Sequence, residues 1–183
     1  ANMAWLQHAI FHLNDKGRSA VLLTNGSLFN SGKDSEIRKN IIDTDIVESI
    51  ISLPSNLFEN TSIPASIWLL NKKKPKQNKV LFIDASNVGE MVNKSQRSIY
   101  EKEILEISTQ LNLWQENDLN YKDKVGFIKS VDISEIIDMD YILTPSKYVG
   151  IKELSEIDLS KSIRLGDILE AVRPSKLESG VNY

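Results

Sequence analysis

The chain has no cysteine among its 183 residues. It therefore forms neither a disulfide framework nor a thiolate metal site, and this composition is typical of the cytoplasm, where we expect the protein to act. No apolar run approaches the roughly 18–20 residues that a membrane-spanning helix needs, so we expect no membrane partner.

Glycine and proline are also sparse, with eight and five residues. No two glycines stand in Gly-x-Gly spacing, no two prolines are adjacent, and neither Gly-x-x-x-x-Gly-Lys nor Gly-x-Ser-x-Gly occurs. These absences disfavour a nucleotide-binding oxidoreductase, a P-loop ATPase and a serine nucleophile. His8 and His12 have the i, i+4 spacing that can chelate a metal, but no further ligand adjoins them. We predict a packed or surface pair and no metal.

The charge is uneven along the chain. Residues 1–80 contain 10 Lys/Arg and 7 Asp/Glu, whereas residues 81–183 contain 12 and 18, and the whole chain has a net charge of −3. This balance excludes a free-standing basic nucleic-acid binder. It is compatible with a DNA-facing first part and a second part that faces solvent or protein.

Helical periodicity alternates with short apolar runs, which predicts an α/β fold. The runs at 46–53 and 63–70 are almost continuously apolar and therefore predict central strands buried on both faces. The other predicted strands are 20–24, 80–83 and 125–131. Helices are predicted at 5–13, 34–42, 99–114 and 133–137, the last with Asp132 as its N-cap.

Several motifs form a recognisable set. Leu-Pro-Ser-Asn-Leu-Phe at 53–58, followed by Ile-Pro at 63–64, is its most specific part. Further segments of the same pattern lie at 17–29, 36–38, 69–72, 80–85 and 141–150. From about residue 5 to residue 149, the sequence resembles the modification (M) subunit of type I restriction-modification systems. Those subunits are adenine-N6 DNA methyltransferases that use S-adenosylmethionine.

The resemblance implies a partial Rossmann-like methyltransferase sheet with a mainly helical C-terminal part. Residues 1–93 would be the C-terminal half of the catalytic domain, ending in an antiparallel hairpin of 66–71 and 79–83 with a lysine-rich tip. Residues 94–150 would close that domain. Residues 151–183 are either a tail or the start of a specificity-type recognition domain, since 163–170 resembles the opening of one.

Two family motifs are missing. The Gly-rich cofactor loop and the Asn-Pro-Pro-aromatic motif, which grips the target amino group, would precede residue 1 in the family order. We therefore expect a fragment that has no catalytic, cofactor-binding or metal-binding residue of its own and no activity in isolation.

Phe58 is the strongest candidate for a functional residue, because it lies on the loop between two predicted buried strands. The resemblance implies that its ring stacks against an adenine flipped out of the duplex. The alternative is a phenylalanine packed against the neighbouring strand. Further candidates for DNA or base contact, which could equally be turn or cap residues, are Asn25, Asn56, Asn60, Thr61 and the lysines Lys72, Lys73 and Lys74.

The family also implies partners. These are DNA, a specificity (S) subunit, a restriction (R) subunit and a second M subunit. An alternative hypothesis is a non-catalytic assembly module, in which the helix at 99–114 and the acidic C-terminal part dock the S subunit or another M subunit.

Overall fold

A five-stranded mixed sheet organises residues 2–150, the part of the chain that the computed structural model describes. Its strands are β1 Arg18–Thr24, β2 Val47–Ser52, β3 Ala65–Asn71, β4 Lys79–Asp84 and β7 Ile128–Asp132. A separate two-stranded hairpin consists of β5 Glu90–Met91 and β6 Arg97–Ser98. The helices are α1 Asn2–His12, α2 Lys33–Asp43, α3 Glu101–Gln115, α4 Ile133–Asp138 and α5 Ser146–Val149. The predicted α/β fold class is confirmed.

The strands are ordered β1-β3-β2-β4-β7. β2 is parallel to β4, and β3 is antiparallel to both β1 and β2, so β1, β2 and β4 run in one direction. Every residue of the central strand β2 is buried. This confirms the prediction made from its apolar sequence, because side chains on both faces of a central strand need apolar neighbours.

The predicted hairpin of 66–71 and 79–83 is wrong. β2 lies between β3 and β4, and the antiparallel hairpin is instead formed by β2 and β3. β2 places Ile50 in the core on one face and Ile51 in the core on the other, so it gains most burial at the centre of the sheet. The chain between β3 and β4 therefore passes over the start of β2 rather than turning back on itself.

β1 also departs from its prediction as a buried strand. It is one of the two edge strands of the described sheet and only Leu23 is buried, whereas Leu22 is 50% exposed. Successive side chains of a strand point to opposite faces. Leu23 packs into the core that α1 and α2 cover, so Leu22 projects from the other face.

Each face of the sheet has its own core. α1, α2, α4 and α5 contribute to one core, which contains Trp68 and Phe82, while Trp114 of α3 packs on the opposite face. Residues 94–150 thus share the sheet of residues 2–93, since α3 covers it and β7 joins it. The boundaries at 93 and 150 stay predictions, and residues 151–183 lie outside the described part of the chain.

Two local findings complete the fold. Asp132 precedes α4 as predicted, but its carboxylate accepts a hydrogen bond from Lys79 Nζ at 2.8 Å instead of capping the helix. None of the described helices is long and apolar enough to cross a membrane.

Candidate functional site

Three loops meet at one edge of the sheet. They follow the carboxyl ends of the parallel strands β1, β2 and β4, and comprise residues 25–32, 53–64 and 85–89. In open α/β sheets, ligands bind outside the carboxyl ends of the strands. These carboxyl ends, which we call the carboxyl edge, are therefore the candidate site. They include the loop of the Leu-Pro-Ser-Asn-Leu-Phe motif.

The 53–64 loop is closed by backbone hydrogen bonds at both its base and its tip. Leu53 N–H donates to Ala65 O at 2.8 Å where β2 and β3 meet, and Thr61 N–H donates to Phe58 O at 3.3 Å in a tight turn. The Thr61 hydroxyl accepts a hydrogen bond from Ile63 N–H at 3.1 Å. Thr61 thus takes part in the turn, and it also lines the concavity that contains Phe58, so its role as a DNA contact stays a prediction.

Phe58 projects from this turn with 39% of its surface exposed. Its ring lines an open concavity of about 400 Å³, within the range of small-molecule sites. Trp5, Leu22 and Ile63 form further apolar walls, and all three are at least half exposed. The Thr24 hydroxyl, which accepts a hydrogen bond from Asn2 Nδ2 at 2.8 Å, adds a polar group. We call this concavity the Phe58 cleft.

The three asparagine candidates differ in their surroundings. Asn56 has a positive φ of 60° and its carbonyl oxygen accepts the Arg97 N–H at 2.7 Å, so it shapes the backbone of the loop. Asn60 is exposed. Asn25 donates its N–H to Pro64 O at 3.2 Å, and its side-chain oxygen is buried with no hydrogen-bond donor among the described residues.

The lysine-rich turn lies at the opposite end of the sheet. The register pairs Asn71 with Arg18 and Ala65 with Thr24, which puts the turn the length of a seven-residue strand, about 20 Å, from the Phe58 loop. Lys72 donates to the carbonyl of Leu13, and Lys73 is exposed. The structure thus does not bring the lysine candidates together with the cleft.

The prediction that Lys74 contacts DNA is wrong, because its side chain is buried. Its side chain is 1% exposed and pairs with Asp45, and its ammonium donates to Val47 O at 3.1 Å and to Lys79 O at 2.8 Å. Burial lowers the pKa of Lys74, while Asp45 opposes this shift. Lys74 therefore fastens the turn to the start of β2 and cannot reach a phosphate.

His8 and His12 are exposed on α1, with ring centroids 4.4 Å apart. Within residues 2–150, no cluster of three or more metal-binding side chains includes them or any other group. They form a surface pair, one of the two arrangements that the sequence predicted.

Sequence reasoning missed the β5–β6 hairpin, which supports the Phe58 loop through the Arg97–Asn56 hydrogen bond. The Arg97 guanidinium donates to the carbonyls of Val88 and Gly89 at 3.1 and 2.9 Å. Glu103, in the first turn of α3, accepts the N–H of Gly89 at 2.7 Å and that of Tyr100 at 2.9 Å. The N–H bonds from Tyr100 and Gly89 lower the pKa of Glu103. Gly89 and the polar run Asn93–Gln96 were the available signals of a turn.

The fold and its edge loops define an α/β protein with an open, largely apolar cleft. The model of the N-6 DNA methylase family matches residues 1–157. The chain is 46% identical over 154 residues to the methylase subunit of the type I restriction enzyme HindI from Haemophilus influenzae, covering 84% of this chain and 34% of that protein. It is 36% identical over 155 residues to the MjaIX methylase subunit from Methanocaldococcus jannaschii, covering 83% and 28%.

The same likeness holds for three-dimensional structure. The crystal structure of the methyltransferase subunit of a type I restriction-modification system from Streptococcus thermophilus matches with a TM-score of 0.71 and 31% identity, covering 81% of this chain and 30% of that one. The chain belongs to the N-6 DNA methylase family, and the predicted resemblance to type I M subunits is confirmed. It spans about a third of the length of these relatives.

The family implies S-adenosylmethionine as cofactor. Within residues 2–150, no strand of the sheet is followed by the Gly-x-Gly loop that is typical of a cofactor site in such folds. We therefore assign no cofactor contact to residues 2–150.

Proposed function

We propose that this chain is the DNA-facing, C-terminal part of the catalytic domain of a type I M subunit, which methylates adenine at N6. Within that subunit, the Phe58 loop forms one wall of the pocket for the target base. The observation that carries this proposal is the position of Phe58, an exposed aromatic ring on the wall of an apolar concavity at the carboxyl edge of the sheet.

The chemistry explains the need for such a ring. The amino group of adenine is inaccessible to an enzyme inside a stacked duplex, so the base has to be extruded before the methyl group is transferred. Stacking on an aromatic side chain contributes about 1–3 kcal/mol per base and offsets part of the cost of unstacking. Phe58 is 39% exposed in the described part of the chain, so its ring can meet an incoming base without any rearrangement of this core.

The remaining requirements fall on other parts of the subunit. S-adenosylmethionine supplies the methyl group when bound, and we place its site and the groups that polarise N6 outside residues 2–150. This chain alone should therefore transfer no methyl group. DNA, the S subunit, the R subunit and a second M subunit are its proposed partners. The unused Asn25 side-chain oxygen and the exposed Asn60 are candidate DNA or base contacts.

A second candidate function, docking of the S subunit or of another M subunit, is favoured by one observation. α3 presents Ile104 and Leu105 to solvent, 54% and 63% exposed, although its opposite face packs on the sheet through Trp114. Exposed apolar side chains on a helix face are a common feature of interaction surfaces. The two functions are compatible within one subunit.

The test is Phe58→Ala in the complete subunit assembled with its partners. Loss of about 1–3 kcal/mol of stacking predicts a decrease in kcat/KM for DNA methylation of about 5- to 150-fold, whereas Phe58→Trp should retain activity. Phe11→Ala is the matched control, because Phe11 is 82% exposed on α1 and does not line the cleft. Equal activity of Phe58→Ala and Phe11→Ala would contradict the proposal. Normal methylation by Phe58→Ala, together with loss of S-subunit binding in Leu105→Ala on α3, would favour docking instead.

A further inference from the structure

Arg38 is a buried cation that contacts main-chain carbonyls rather than a carboxylate. It lies in α2 and is 1% exposed. Its Nε donates to Tyr141 O at 2.7 Å, and its Nη1 donates to Asn30 O at 3.0 Å, with a longer contact of 3.5 Å to Ser27 O. None of the ion pairs among residues 2–150 involves Arg38. Burying a charge is unfavourable, so this guanidinium has to be satisfied by the geometry of those carbonyls.

The carbonyls belong to two segments that are distant in sequence. One is the rim segment, residues 25–30, which follows β1 at the carboxyl edge. The other is the closing segment, residues 139–149. Leu143 N–H also donates to Leu28 O at 2.9 Å, so the two segments are bonded directly as well as through Arg38. From the sheet, Trp68 Nε1 donates to Ser27 Oγ at 3.1 Å.

The closing segment has an unusual backbone where it meets Arg38. Asp140 and Tyr141 have positive φ angles of 53° and 54°. Residues other than glycine rarely adopt this conformation, and they retain it where the surrounding structure enforces it. The Tyr141 carbonyl that follows accepts the Arg38 Nε hydrogen bond. Arg38 thus bonds to a part of the closing segment whose backbone conformation depends on its surroundings.

The rim segment is continuous with the Phe58 cleft. Thr24, the residue before it, lines the cleft. Asn25 N–H donates to Pro64 O at 3.2 Å, next to Ile63, which also lines the cleft. A shift of the rim segment would therefore move the cleft wall at two points, although Arg38 itself does not line the cleft.

We propose that Arg38 is a positioning residue for methyl transfer, which holds the rim segment against the closing segment and so sets the wall that receives the extruded base. The inference rests on the proposed function. The planar guanidinium presents several N–H donors in a fixed fork and can serve two carbonyls in different directions. A lysine would keep the charge but lose this geometry, so Arg38→Lys should be impaired.

The experiment compares variants of the complete subunit in its assembled complex, after its target sequence has been mapped. Arg38→Lys and Arg38→Met are assayed well below their melting temperatures, and kcat is measured on DNA that contains the target adenine. Base extrusion is measured separately, by fluorescence, on a duplex in which 2-aminopurine replaces that adenine, because 2-aminopurine has no N6 amino group to be methylated. Lys74→Met is the matched control, because Lys74 is also a buried cation that donates to main-chain carbonyls but lies at the other end of the sheet.

We expect both Arg38 variants to bind DNA with a Kd within roughly twofold of the wild type, since phosphate contacts dominate affinity. Their kcat and their fluorescence increase on DNA binding should fall about 10- to 100-fold, as expected for a small displacement of a positioning group. Lys74→Met should lower the melting temperature and leave both readouts unchanged. Arg38→Lys keeps the charge and the volume, so it provides the test if Arg38→Met fails to fold.

Normal kcat and fluorescence in the Arg38 variants would overturn the inference, as would equal losses in Lys74→Met, because Arg38 would then only stabilise the fold. Absence of methyl transfer and of any fluorescence increase in the wild-type complex is a different result. It would refute the proposed function itself.

Discussion

Replacing Lys74 by methionine tests whether this side chain stabilises the fold by holding the lysine-rich turn against the start of β2. Methionine keeps much of the side-chain volume and removes the ammonium, which pairs with Asp45 and donates to the carbonyls of Val47 and Lys79. The variant leaves these carbonyls without their donor and the Asp45 carboxylate without its cation.

The expected loss of stability follows from the burial of the Lys74–Asp45 ion pair. Breaking a fully buried ion pair costs about 3–5 kcal/mol. The Asp45 side chain is 19% exposed and still accepts the Asn78 N–H at 2.9 Å, so part of its charge can be rehydrated. We therefore expect a loss of about 2–4 kcal/mol in the free energy of unfolding. For a chain of this size, the melting temperature should fall by about 5–15 °C.

Urea and thermal denaturation of the 183-residue chain measure this loss, and Lys73→Met is the control. Lys73 is exposed, so its replacement should change the free energy of unfolding by less than about 0.5 kcal/mol. In Asp45→Asn/Lys74→Met, the combined loss should be smaller than the sum of the single losses, because the two groups share one interaction. Equal stabilities of Lys74→Met and Lys73→Met would refute the reasoning.

Two further predictions concern the support of the Phe58 loop. The N–H bonds from Tyr100 and Gly89 lower the pKa of Glu103 below its usual 4.5, so their stabilisation is complete above that pH and is lost as the pH falls through the lowered pKa. The stability difference between wild type and Glu103→Gln, measured by urea denaturation, should shrink between about pH 7 and about pH 3, and a constant difference would contradict this. Gly89→Ala should destabilise the chain by about 1–3 kcal/mol, because φ is +76° and an added Cβ would lie 2.2 Å from Ser98 O. A neutral effect in thermal denaturation would show that the hairpin relaxes freely.

The elements of the fold could be predicted because their signals are local. β2 lies in the mostly apolar segment 46–53, and α2 spaces Ile37, Ile41 and Ile42 at helical intervals, so the predicted bounds of both agree with the structure to within a residue or two. The signals that determine which strands pair are not local. β3 and β4 are consecutive in sequence and separated by a short polar turn, which favours a hairpin. In the structure, β2 lies between β3 and β4, and its burial there prevents the two from pairing.

The candidate site was predicted in part. Phe58 was expected to be exposed because the loop between two buried strands has no core of its own, and that exposure is confirmed, while its role stays a prediction. Lys74 could not be separated from its neighbours, because a run of lysines does not reveal which side chain turns inward. From the sequence alone, Arg38 cannot be distinguished from a surface charge on an amphipathic helix. Its burial depends on contacts with residues about a hundred positions away.

The connection between β2 and β3 has a consequence for variation of the cleft. Both ends of the Phe58 loop are anchored to strands that are neighbours in the sheet, so residues can be inserted or removed at its tip without shifting any other strand. Long surface loops are tolerated at little thermodynamic cost. This wall of the Phe58 cleft can thus be lengthened, shortened or exchanged, and 57–62 is the natural segment in which to graft loops between relatives, because it leaves the Asn56–Arg97 hydrogen bond in place.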